Sequence, residues 1–225
     1  MSVFFMIQIK LKNLYAALRK KQQHKTTQRI LTQLYNDTNS AEISTQERSR
    51  LNTDADDFVY GEIEFSTFTH ILAKVQPQPT EIFYDLGCGA GKAILSAALN
   101  FDLAEIIGIE LLPGLCQLAN EKFEYAKLLV KDNHFYLNRL TRLTIINDDL
   151  YRCDISDGDI IFINATCFHY TNWKKIQDKL LSLKIGSRVI VTTKSIDHDY
   201  FLHLSRQFEL MSWGINSVNT YKKIR

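Results

Sequence analysis

The chain has 225 residues, 45% hydrophobic and 23% charged, the proportions of an ordinary globular protein. Nine Gly and three Pro exclude a Pro/Gly-rich polymer or a collagen-like repeat, and no stretch reaches the roughly 18 to 20 apolar residues that span a bilayer. The net charge of +2 conceals an asymmetry, because residues 1–30 carry seven bases (Lys10, Lys12, Arg19, Lys20, Lys21, Lys25, Arg29) and no acid, whereas residues 51–225 hold 18 basic and 22 acidic side chains.

The N-terminus, MSVFFMIQIKLK, places its apolar run before its bases, the reverse of a secretory signal. Cys88, Cys116, Cys153 and Cys167 show no metal-ligand spacing, so no metal is expected. They read as reduced thiols of a cytoplasmic protein, with a nuclear or host-delivered address left open. Residues 7–36 repeat apolar positions at Leu11, Leu14, Tyr15 and Leu18, then Ile30, Leu31, Leu34 and Tyr35, a spacing that predicts one or two amphipathic helices with a basic polar face. From Asn36 to Asp57 apolar periodicity is lost, which predicts a linker or mobile surface loop with room for one helical turn. The domain division expected is a basic helical segment and linker over 1–57 and a folded domain over 58–225.

Within that domain, strand-like runs at 81–86, 104–110, 142–147, 159–164 and 187–193 alternate with predicted helices. These run from the Gly-rich turn to Leu99, from about Pro113 to His134, and from Trp173 to Leu183. Two last strands, QFELMSWG and INSVNTYKKI, meet at Gly214. The fold class expected is α/β: a doubly wound, mostly parallel seven-stranded sheet that ends in an antiparallel hairpin. That ending fits the S-adenosylmethionine (SAM) methyltransferases rather than the nicotinamide dehydrogenases.

The strongest local signal is Asp85-Leu86-Gly87-Cys88-Gly89-Ala90-Gly91-Lys92, where a strand turns into a helix. Glycines let backbone approach a ligand that faces the helix amides. A nicotinamide fingerprint would place its third Gly where Lys92 stands, and Asp85 would repel a diphosphate. The next strand ends in Glu110, placed to accept hydrogen bonds from both ribose hydroxyls, and the third in Asp148-Asp149-Leu150, suited to an adenine amino group and ring. Singly, such residues also serve as helix caps and tight turns. In order, at the carboxyl ends of successive strands, they predict a SAM site.

Two further segments lie at diagnostic places: Phe58-Val59-Tyr60-Gly61-Glu62 ahead of the glycine loop, and Ile161-Phe162-Ile163-Asn164-Ala165-Thr166-Cys167-Phe168 at the end of the fourth strand. With Gly186-Ser187-Arg188 leading to Lys194, they make residues 58 to about 195 resemble the non-SET histone-lysine methyltransferases, the "disruptor of telomeric silencing" family. The resemblance implies a SAM-dependent protein-lysine N-methyltransferase. Tyr60, Gly61, Glu62 and Ile63 would lid the methionine end of the cofactor, and Phe83, Tyr84, Asp85, Leu86, Gly87, Cys88, Gly89, Ala90, Gly91 and Lys92 would form the loop beneath it. Glu110 would hold the ribose, Asp149 and Leu150 the adenine. Asn164 would sit beside the transferred methyl and Phe168 would wall a lysine channel. Ile63 stands where the family usually has a hydroxyl residue, and Lys92 where it has Gln.

The partner implied is a protein lysine, in a histone or in a non-histone protein, with the chain acting as a monomer away from membranes. Residues 10–29 read first as a solvated helix face and second as a weak nucleic-acid contact. The alternative activity is an N6-adenine type nucleic-acid methyltransferase, because Asn followed by an aromatic is similar to an Asn-Pro-Pro-Tyr loop, although both prolines are missing.

Overall fold

The computed structural model describes residues 3–50 and 61–225; in the first helix it describes the side chains of Phe5, Leu14 and Leu18 and those from residue 21 onward. The expected start of the core at Phe58 and the expected lid residue Tyr60 lie outside the described residues. Helices α1 (Val3–Tyr35), α2 (Ser40–Arg50) and α3 (Phe65–Lys74) precede strand β1 (Ile82–Leu86). Then follow α4 (Lys92–Asn100), β2 (Glu105–Glu110), α5 (Pro113–Leu129), α6 (His134–Leu140), β3 (Leu143–Asn147), β4 (Ile160–Ile163), α7 (Tyr170–Leu180), β5 (Arg188–Thr192), β6 (Phe201–Met211) and β7 (Gly214–Lys223). One seven-stranded sheet runs β3-β2-β1-β4-β5-β7-β6, parallel from β3 to β5 and antiparallel through β7 and β6. No helix of the described residues is long and apolar enough to cross a membrane.

The parallel strands β1, β2, β4 and β5 are buried on both faces, so their side chains divide between two cores, while the edge strand β3 buries only Leu143. On one face Phe83, Ile106 and Phe162 meet Leu31 and Leu34 of α1, Phe68 and Leu72 of α3, and Ile94 of α4. Phe68 is central, with its ring edge-on to Phe83 at 6.0 Å and to Phe162 at 5.1 Å. On the other face Tyr84, Ile161, Val189 and Val191 pack on Trp173, Ile176 and Leu180 of α7.

Several elements differ from the sequence expectation. Part of the expected linker is α2, which lacks an apolar stripe because the residues it buries are Ser40 and Ser44. Local bonds start it: Asn39 Oδ1 accepts from Glu42 N at 3.2 Å and Asn39 Nδ2 donates to Glu42 Oε2 at 3.0 Å, a reciprocal cap. A tertiary bond secures it, since Glu47 Oε2 accepts from Gly114 N at 3.1 Å, at the start of α5. The long helix expected to reach His134 stops at Leu129, and Asn133 caps a separate α6 by accepting from Tyr136 N. Helix α7 begins and ends three residues earlier than expected. Strand β6 starts at Phe201 rather than Gln207; as an edge strand it is mostly exposed, and its register shifts between His203 and Ser205, which erases the alternation of a half-buried strand.

Candidate active site

Strands β1 and β2 lie side by side while the chain passes to the far side of β1 for β4, so a crevice opens where the strand order reverses, beyond the carboxyl ends of β1, β2 and β4. The loop from β1 to α4 turns through Gly87 (φ 87°), Gly89 (φ 54°) and Gly91 (φ 84°), left-handed positions where a side chain would be strained. Gly87 N and Cys88 N both donate to Ile109 O, at 2.9 and 3.0 Å, which fastens the loop to the end of β2.

Two acids lie beneath this loop. Glu110, 7% exposed, is held by Gly89 N on Oε2 and by Leu112 N on Oε1, each at 2.8 Å. Leu111 N adds a third backbone donor to the same carboxylate, which leaves it lone-pair capacity for a ligand hydroxyl. Burial raises the Glu110 carboxyl above its ordinary value, and the backbone donors partly oppose that shift. Asp85 differs: it is 2% exposed and accepts no hydrogen bond from the described residues. Burial first, and the neighbouring Glu110 charge second, push its carboxyl up to about 8. A buried carboxyl without donors, bordering a cavity, fits a ligand that brings its own positive charge and N–H groups.

The cavity brings together Gly61, Glu62, Ile63, Asp85, Leu86, Gly87, Cys88, Gly89, Lys92, Glu110, Asp149, Leu150, Asn164 and Phe168, all anticipated from sequence. Four residues expected in the same loop do not line it. Phe83 is a core residue against Phe68, and Tyr84 belongs to the opposite core, where its hydroxyl donates to Asp157 at 2.9 Å. Ala90 is buried and its carbonyl accepts from Tyr35, while Gly91 is the N-cap of α4. Strand alternation explains Tyr84, which points to the face opposite Asp85; Phe83 shares the Asp85 face but lies two residues back from it along β1, against Phe68.

The segment carrying Gly61 and Glu62 is tied from three directions. Asn164 Nδ2 donates to Gly61 O at 2.8 Å, Ser212 Oγ donates to Glu62 O at 2.9 Å, and the Lys92 ammonium pairs with the Glu62 carboxylate. A Cβ on Gly61 would come within 3.1 Å of the Trp213 ring, so a side chain here would push that ring by a few tenths of an ångström. Lys92 also lies 5.4 Å from the Tyr35 ring centroid and 5.6 Å from that of Phe65. Tyr35 donates to Ala90 O at 2.7 Å, and its hydroxyl pKa is raised by burial and then by the charges of Glu62 and Cys88. The last turn of α1 is therefore part of the site's support.

At the adenine end expected from sequence, Asp149 Oδ1 accepts from Tyr151 N at 2.9 Å, and Leu150 and Tyr151 lean on the second core. Ser44 of α2, Tyr151, Thr166 and Asn172 also border the cavity and were not anticipated. Ser44 and Asn172 sit in segments without a local signature, whereas Tyr151 and Thr166 lie within two residues of anticipated positions.

The fold and this site define a methyltransferase of the class I type. An RNA methyltransferase from Salinibacter ruber, solved in complex with S-adenosyl-L-homocysteine, superposes with a TM-score of 0.54 at 18% identity, covering 73% of this chain and 94% of that one. A putative O-methyltransferase from Klebsiella pneumoniae gives 0.55 at 12% identity, over 92% of this chain and all of that one. Likeness at such identities establishes the architecture. The family described as "Histone methylation protein DOT1" matches residues 39–221, and the chain belongs to it. Among its relatives, the "Histone-lysine N-methyltransferase, H3 lysine-79 specific" of Debaryomyces hansenii is 29% identical over 187 residues, 72% of this chain and 15% of that protein. A "Protein-lysine N-methyltransferase" of Saccharolobus islandicus is 27% identical over 149 residues, 65% of this chain and 73% of that protein. The chain spans 27% and 32% of the H3 lysine-79 specific enzymes of Yarrowia lipolytica and Kluyveromyces lactis.

Proposed function

We propose that this protein is a SAM-dependent protein-lysine N-methyltransferase. The observation that carries the proposal is the buried Asp85, which no described residue donates to, next to the glycine loop and Glu110, in a chain whose family relatives are lysine methyltransferases. SAM would supply an electrophilic methyl on a cationic sulfur. Asp85 would balance the positive charge of the methionine portion, and Glu110 would accept from the ribose hydroxyls with its remaining lone pairs. Asp149 and Leu150 would receive the adenine.

The acceptor must arrive neutral. A lysine of pKa about 10.4 is unprotonated only roughly 0.04% of the time at pH 7, a handicap of about 4.6 kcal/mol. Phe168 and Phe162 give one side of the cavity an apolar wall that disfavours an ammonium, and a cationic cofactor disfavours it further. Proximity and desolvation then suffice without a strong base. The amine lone pair forms the new N–C bond as the S–C pair leaves with sulfur, and the amine proton passes to water before transfer.

The substrate is proposed to be a protein, with histones one class to test. Incubation with tritiated SAM and either core histones or a cell protein extract, with and without nuclease, should place the label in protein as methyl-lysine; label confined to nucleic acid refutes the assignment. Asn164→Ala should bind SAM and lose transfer.

A further inference from the structure

Asn164, which the family resemblance sets beside the transferred methyl, borders the cavity, yet its side chain is already committed. Its Nδ2 donates to Gly61 O, a group that can only accept, and this fixes which end of the amide is oxygen. Its Oδ1 accepts from Thr192 Oγ1 at 2.7 Å and from Thr166 Oγ1 at 2.9 Å, so both lone pairs are in use. Thr192 is buried and also accepts from Ala165 N at 3.0 Å. Thr166 borders the cavity. Its one hydrogen goes to Asn164, so its oxygen presents lone pairs only.

A second hydroxyl completes the arrangement. Thr193 Oγ1 lies 2.9 Å from Thr166 Oγ1 and 3.3 Å from Asn216 Oδ1. Thr193 has one hydrogen and two acceptors within reach of it, Asn216 Oδ1 and, since Thr166 donates to Asn164, Thr166 Oγ1; the contact to Thr166 is the shorter. Thr193 has φ 65°, a left-handed conformation in a β-branched residue, and it sits at the centre of a γ-turn in which Lys194 N donates to Thr192 O at 2.6 Å. Thr193 N donates to Ser217 O at 2.7 Å, which pins the strained turn to β7. The surrounding sheet therefore enforces a backbone conformation that brings this hydroxyl to Thr166.

We propose that Thr166 is the residue that orients the acceptor amine, and that Asn164 and Thr193 are positioning residues that fix its hydroxyl as an acceptor. This rests on the lysine methyltransferase reading. A neutral amine attacks through its lone pair and donates through its N–H bonds, so an acceptor-only hydroxyl steers it without engaging the lone pair. Asn164 Oδ1, which already receives two hydrogens, is left as the anchor of that hydroxyl.

The test uses the full chain, tritiated SAM, and core histones or extract as acceptors, with methyl-lysine measured after hydrolysis. At saturating SAM, Thr166→Val should lower the transfer rate about tenfold or more, with SAM affinity held within about threefold. Thr166→Ser should recover to within about threefold of the natural rate. Thr193→Gly removes hydroxyl and strain together, so it should slow transfer without lowering the thermal midpoint. If the natural protein forms no methyl-lysine, the lysine reading fails and this inference with it. If it does and Thr166→Val keeps its rate, or Thr166→Ser is as slow as Thr166→Val, only the role of the Thr166 hydroxyl is overturned.

Discussion

Asp85 holds its proton close to neutral pH because burial and Glu110 both oppose its charge. The unfolded chain releases that proton near pH 4. Between about pH 4 and about 8 the folded, unliganded protein binds the additional proton, so its stability falls as pH rises through that window and levels off above it. Asp85→Asn should flatten this slope in urea titrations run at several pH values. A cationic ligand lowers the Asp85 pKa, so SAM binding at pH 7 should release protons, seen as a dependence of calorimetric heat on the buffer's ionisation enthalpy, and the release should vanish in Asp85→Asn. Lys92→Met removes the cation paired with Glu62; both side chains are about a fifth exposed, so the loss is about 1 to 2 kcal/mol rather than that of a fully buried pair, measured as roughly tenfold weaker SAM binding. Asp85 and Glu110 were legible in the sequence because their backbone setting is local, at strand ends beside glycines, and Asn164 through the family resemblance of the segment around it. Tyr35 and Thr193 were not, since their roles depend on segments distant in sequence, Tyr35 meeting Ala90 and Thr193 meeting Asn216.

Among the elements, α3 shows how one helix joins the core to the site. Phe68, Ile71 and Leu72 are at most 1% exposed, and Phe68 meets strands β1 and β4 directly beneath the crevice. Phe68→Ala should cost about 3 to 5 kcal/mol, measured by denaturant unfolding. Helix α2 depends on its cap, and Asn39→Ala should cost about 1 kcal/mol, or roughly 2 to 4 °C of thermal midpoint. The parallel strands were legible because buried strands are short apolar runs separated by turns. Helix α2 was not, because it buries serines and is secured by a bond from Gly114 to Glu47.

In the molecule as a whole, the described apolar side chains in the early part of α1, Phe5, Leu14 and Leu18, are at least half exposed, whereas Ile30, Leu31, Leu34 and Tyr35 are buried in the same core as the sheet. Removing residues 1–20 should move the thermal midpoint by less than about 2 °C, while Leu31→Ala should cost about 2 to 5 kcal/mol. The basic residues 10–29 were read from charge alone, and their partner depends on surface chemistry that periodicity does not encode. The sequence by itself determined the alternation of strands and helices, the antiparallel ending, the glycine loop and the acids around it, because each follows from residue types within a few positions of one another. Only the tertiary structure decided which side chains of β1 face the cavity, that α1 and α2 support it, and that Asn164 is bound by two threonine hydroxyls. Those outcomes depend on strand register and on contacts between segments far apart in sequence, which no local pattern specifies.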